Sequence, residues 1–227
     1  MRLGSLVLLA SLATASCAAP ERLARRSPLV LAPGPQLTPE GRPSPVPSMA
    51  SSGAGHAGLD GQAVAASARE LVGLPRVPTG GRFPDDCTGL VREVYSRHGV
   101  DLMGEGAPPG GNGVLAIWRY TQRHGTLHRE GPSPGDLVFF NETYDRNRDG
   151  RENDGLTHVG IVDRVDDDGT VHVIHRVARG IVSYRMNLAH PSSQKDAQGR
   201  VVNDWLRAGK ISRLTGELFA GYGTLTR

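Results

Sequence analysis

The chain has 227 residues, 38% of them hydrophobic and 22% charged, with a formal net charge of +3. That length supports one domain with a substantial core. The charge is too small to argue for nucleic acid: Arg22, Arg25 and Arg26 lie near the N-terminus rather than in a patch, and no basic–aromatic interleaving is present, so no nucleic-acid partner is expected.

The first 17 residues read as a secretory signal: Arg2, an apolar run from Leu3 to Leu12 that is too short for a permanent span, then small residues. Two cleavage patterns compete. Thr14-Ala15-Ser16-Cys17 resembles a bacterial lipoprotein box, which would leave a lipid anchor on Cys17, although Thr14 stands where such boxes usually carry an aliphatic residue. Ordinary cleavage after Ala13-Thr14-Ala15 would leave Cys17 as a stray thiol. The expectation is an exported protein of the cell envelope held to the membrane through Cys17. Ala18 carries no mark of inner-membrane retention, which points to the outer membrane where there is one. Residues 18–62, rich in Pro, Ser, Gly and Ala and without apolar period, read as a disordered linker. Its reach by flexible-chain scaling is about 40 Å. Residues 63–227 are then the domain.

Ala63 to Val72 has helix formers with helical apolar spacing, ended by Gly73 and Pro75. Asp85 or Asp86 caps a second helix that ends at Gly99. Its apolar positions Cys87, Leu90, Val91, Val94 and Tyr95 follow an i, i+3, i+4, i+7, i+8 stripe. A third helix covers Val114 to Arg123. The period then changes to two, in Gly135–Phe140, Thr157–Val165, Gly169–Val177 and Gly180–Met186, with Asp166-Asp167-Asp168-Gly169 as a hairpin turn. Trp205 and Leu206 suggest a short helix, and Leu218 to Leu225 a last strand. Helices first and an antiparallel sheet second define an α+β fold.

Two cysteines are present, and if Cys17 is acylated Cys87 remains a free thiol. Cys87 opens a helix, where unpaired N–H groups and the macrodipole favour a thiolate. A cysteine nucleophile needs a base and a group to orient it. Of eight histidines, His56 lies in the linker, and His98, His124, His128 and His190 sit at helix ends or in polar loops, where solvation accounts for them. The strands supply His158, His172 and His175. His172 and His175 are an odd number apart and point to opposite faces. His175 shares its face with Val171 and Val173, which makes it the candidate beside His158.

The runs DCTGLVREVYSRHGVDL, SPGDLVFF, THVGIV and VIH together resemble the NlpC/P60 family of cell-wall cysteine peptidases, over roughly Ala63 to Tyr184. The resemblance implies a papain-like α+β fold, with the cysteine helix packed on a sheet that bears both histidines. It also implies Cys87 as nucleophile, His158 as base and His175 as orienter, with the Cys87 N–H as oxyanion donor and peptidoglycan stem peptides as substrate. The tyrosine that usually precedes the family's Gly-Gly is missing from Leu74 to Gly81. The CHAP family also fits the helix-borne cysteine and the H-V strand, but its third residue is more often Asn or Glu.

The segment 141–157 is an acidic insertion. Asp145-x-Asn147-x-Asp149-Gly150 matches the first half of an EF-hand loop, with the Arg151 carbonyl and Asn153 at the next ligand positions. Leu156 stands where the bidentate glutamate belongs, and Asp154 is the candidate substitute. Hard oxygen ligands at alternate positions suit a structural calcium ion. The chemistry itself requires no cofactor. The expected activity is a cysteine-type hydrolase of peptidoglycan peptide bonds. Its rivals are an amidase or transacylase on the same fold and a calcium-stabilised wall-binding lipoprotein without turnover.

Overall fold

The computed structural model describes residues 58–104, 111–207 and 211–225. The expected signal segment, the anchor at Cys17, His56 and nearly all of the expected linker lie outside them. Helix α1 (Gly61–Arg69) is capped by Asp60, whose carboxylate accepts from the N–H groups of Gln62 and Ala63, and Leu59 packs against the core. Helix α2 (Cys87–Ser96) starts from the Asp86 cap, and α3 (Gly113–His124) from Asn112. The strands are β1 (Gly125–His128), β2 (Leu137–Asn141), β3 (Leu156–Val165), β4 (Val171–Val177), β5 (Gly180–Met186), β6 (Trp205–Arg207), β7 (Arg213–Leu214) and β8 (Phe219–Leu225), with the short helix α4 (Thr215–Leu218) before the last. No helix among the described residues is long and apolar enough to cross a membrane.

Six strands form one antiparallel sheet in the order β1-β8-β2-β3-β4-β5, and β6 pairs with β7 separately. Alternation along the strands divides the core in two. Phe139, Val159, Ile161 and Ile174 face α1, α2 and α3, where Leu90, Val91, Val94 and Ile117 are fully buried. Val138, Phe140, Val162, Val171 and Val173 face the other way, under Leu218 of α4 and Leu206 of β6. The α+β, papain-like arrangement implied by the resemblance is the one observed: a helix carrying Cys87 packed on an antiparallel sheet carrying both histidines.

Two expectations change. Trp205 and Leu206 are strand, not helix, because they pair with β7, and Trp205 is exposed. His128 is not in a solvated loop. It sits in β1, paired with the distant β8, and its ring meets the Thr224 hydroxyl and the Glu130 carbonyl.

Candidate functional site

The turn into α2 fixes Cys87. One carboxylate oxygen of Asp86 accepts from the N–H groups of Thr88 and Gly89, both at 2.9 Å, and from the Thr88 hydroxyl at 2.7 Å. Such a cap satisfies two of the orphan donors of a helix start. The Cys87 N–H is not among the groups it takes. Gly89 is required by close approach, since a Cβ there would lie 1.7 Å from the Pro84 carbonyl oxygen. Cys87 therefore packs against the helical core as the stripe predicts, yet lines a cavity of about 910 Å³ together with His158.

His158 and His175 come from adjacent strands and meet on the sheet face that also carries Phe140. His158 Nε2 lies 2.9 Å from His175 Nδ1, with the rings nearly perpendicular. Both are buried, His175 fully. Gly160 makes this contact possible: a Cβ would meet Val173 Cγ1 at 2.7 Å and His175 Cβ at 3.1 Å. His175 Nε2 has no hydrogen-bond partner, and the Tyr184 ring stands edge-on at 4.6 Å between centroids, under the Arg179 guanidinium. His172, on the opposite face, pairs with Asp166. The parity argument from the sequence places His175, and not His172, beside His158.

Burial sets the electrostatics. It pushes the Cys87 thiol up to about 12, with the Asp86 charge adding to the rise and backbone N–H groups of Val159, Thr88 and Cys87 itself opposing it. The thiolate favoured by position at a helix start is thus outweighed by desolvation and by the capping carboxylate. His158 is lowered to about 4, again by burial, against the Asp86 charge. Burial, then the neighbouring His158, holds His175 well below the ordinary histidine range. The resting site is a neutral thiol facing neutral imidazoles. No side-chain hydrogen bond joins Cys87 to His158 among the described residues.

Two contacts invisible in the sequence hold these elements in register. Arg176 bridges Asp85 through Nε and Nη2 at 3.0 and 3.1 Å, tying the residue after His175 to the turn before Cys87. Asn112 caps α3 and donates its amide to the Leu156 carbonyl at the head of the His158 strand. Both join positions far apart in the chain, so no local pattern announces them.

The acidic insertion is ordered by its own side chains. Asp145 accepts the Gly150 N–H, Asn147 that of Asp149, and Asp149 that of Arg151, with Gly150 in the left-handed region at φ 76°. Asn153 bridges the Asn147 amide and Asp149. Asp154, the candidate last ligand, takes the N–H groups of Arg146 and Asn147, one on each oxygen. The second oxygen of Asp145 is buried and has no partner. Among the described residues no three His, Cys, Asp or Glu side chains converge as a metal site.

Residues 78–176 match the CHAP domain family, a span that contains Cys87, His158 and His175. The motif resemblance to NlpC/P60 cysteine peptidases, with CHAP proteins beside them, stands on that match, and the matched family is the CHAP one. Among solved structures the chain is similar to NlpC2 from Trichomonas vaginalis, at 17% identity and a TM-score of 0.39, over 74% of this chain. The chain spans 47% of the length of that structure. No curated protein matches it.

Proposed function

We propose that the chain is an exported cysteine hydrolase of peptidoglycan amide bonds, in which Cys87 is the nucleophile, His158 the base and His175 the group that orients it. The CHAP match supports the coarser reading, a cell-wall peptidase or amidase. The observation that carries the finer one is the buried His158–His175 pair beside the cavity that holds Cys87. Proton placement follows from the pair. With His175 Nδ1 accepting, His158 keeps its proton on Nε2 and offers a bare Nδ1 as base. The Cys87 proton passes to that nitrogen as sulfur bonds to the amide carbon, so the charged pair exists only along the reaction. The Cys87 N–H, left out of the Asp86 cap, serves the oxyanion. The imidazolium then protonates the leaving amine, and water attacks the thioester with His158 again as base. An anchor on Cys17 would keep the domain at the membrane.

Calcium on the β2–β3 loop belongs to the same reading. Asp145, Asn147, Asp149, Asn153 and the Arg151 carbonyl would hold it, with Asp154 as the last ligand, and the unpartnered Asp145 oxygen supports the fit. Its charge would stiffen the loop that leads into β3.

The CHAP match is equally consistent with amidase chemistry at the same cysteine. Digestion of purified peptidoglycan by the protein and by Cys87→Ala, with fragment masses, decides between them. Fragments cut within the stem peptide give a peptidase, and stem peptides released whole from the glycan give an amidase. Identical fragment profiles from both proteins would end the hydrolase reading.

A further inference from the structure

The cavity beside Cys87 is lined by five residues of fixed charge, and they are not equivalent. Asp85 is neutralised by Arg176. Asp86 is occupied in capping α2. Arg92, one and a half turns along α2, has no carboxylate partner among the described residues. Its guanidinium lies 4.4 Å over the Phe83 ring, and its Nε is buried without an acceptor. Across the cavity Arg146, on the β2–β3 loop, gives its backbone N–H to Asp154 but has no carboxylate partner for its side chain among the described residues. The wall therefore holds two arginines, Arg92 and Arg146, without a carboxylate partner, while the Asp86 charge stands beside Cys87 itself.

A partly buried guanidinium without a counter-ion is costly, and stacking on one aromatic face offsets only part of that cost. A planar carboxylate would complete it, through a two-point charge-assisted pair that arginine geometry favours. Because Nε is buried, the Nη edge is the one a ligand can reach. A cavity of about 910 Å³ has room for a peptide of a few residues around that contact.

We propose that Arg92 is the specificity residue of this site: it binds a free carboxylate on the substrate near the amide attacked by Cys87, with the exposed Arg146 as a weaker second cation, so the substrate is an anionic peptide. The inference rests on the hydrolase reading for its turnover assay and is separable from it by binding.

The test uses soluble muropeptides, native or with their carboxylates converted to carboxamides by carbodiimide and ammonia. For the unaltered protein, amidation is expected to lower kcat/KM about tenfold to a hundredfold, the range of a charge-assisted hydrogen bond. Arg92→Gln, which keeps the packing on Phe83, should lose a similar factor on native muropeptides, through KM, and should barely distinguish the two preparations. Arg92→Lys keeps the charge without the fork and should fall between; it serves as the test if Arg92→Gln melts early. Equal cleavage of both preparations by the unaltered protein, or discrimination retained by Arg92→Gln, overturns the inference and leaves the hydrolase standing. If neither preparation is cut, the hydrolase reading fails. Calorimetric binding to Cys87→Ala then decides for Arg92: tighter binding of native muropeptides, lost in the double variant with Arg92→Gln, supports it, and equal or absent binding overturns it.

Discussion

His158 Nε2 and His175 Nδ1 lie 2.9 Å apart inside a buried sheet face, and each ring fixes where the other can hold its proton. Removing the base by His158→Ala should lower kcat/KM by about 10²- to 10⁴-fold. His175→Asn, which can still accept from Nε2, should lose much less than His175→Leu, which cannot. Equal losses would mean that His175 acts only as packing.

The same burial gives a pH signature. His158 is lowered to about 4 from an ordinary value of 6.5, and His175 is also held well below that ordinary value. The folded protein thus binds protons less readily than the unfolded chain. The stability these two groups contribute is present above pH 6.5 and is lost as pH falls towards 4. Melting temperature should therefore drop over that interval, and more steeply than in the double variant His158→Gln with His175→Asn. The profile of kcat/KM should keep its acid limb near pH 4 rather than 6.5, with no alkaline limb below about pH 10, given a Cys87 thiol raised to about 12.

Asp85 is partly exposed although Arg176 is largely buried, so Asp85→Asn should cost little stability. It should nevertheless slow turnover roughly tenfold, because the bridge registers the Cys87 turn against the His175 strand. The double variant with Arg176→Gln should be no slower than either single variant. Additive losses in kcat would show that the two residues act independently.

Gly160→Ala should destabilise by about 1–3 kcal/mol, since the added methyl meets Val173, the Ile174 carbonyl and His175 at 3.1 Å or less. Gly131→Ala, at a turn glycine with open space, is the control for a loop position of positive φ. Chemical denaturation of the two variants makes the comparison.

Calcium added to the chelated protein should raise its melting temperature by mass action, and Asp145→Asn should abolish that rise. An unchanged melting temperature at millimolar calcium would remove the ion from the account.

The helix that carries Cys87 was legible because cap, stripe and glycine act within a few residues of one another. Asp86 caps, Leu90, Val91 and Val94 bury, and Gly89 admits the Pro84 carbonyl. Strand parity was enough to separate His175 from His172. What escaped depends on contacts between distant segments. β1 exists because Gly125 to His128 pair with β8 almost a hundred residues later, and β6 exists because β7 meets it. Arg176, Asn112 and Arg92 gain their roles only from what the fold sets beside them. The thiolate inferred from helix position failed for a related reason: the dipole is a local property, whereas the desolvation that outweighs it comes from the whole packed site.

The central claim is that Cys87 attacks an amide and becomes acylated. Rapid quenching in acid during turnover of muropeptides, followed by intact-protein and peptide mass spectrometry, measures that adduct directly. The account predicts an acyl mass on the peptide containing Cys87, accumulating within the first turnover, absent from Cys87→Ala and strongly slowed in His158→Ala. Muropeptide cleavage that proceeds undiminished in Cys87→Ala, or an adduct that forms as fast without His158, would contradict it.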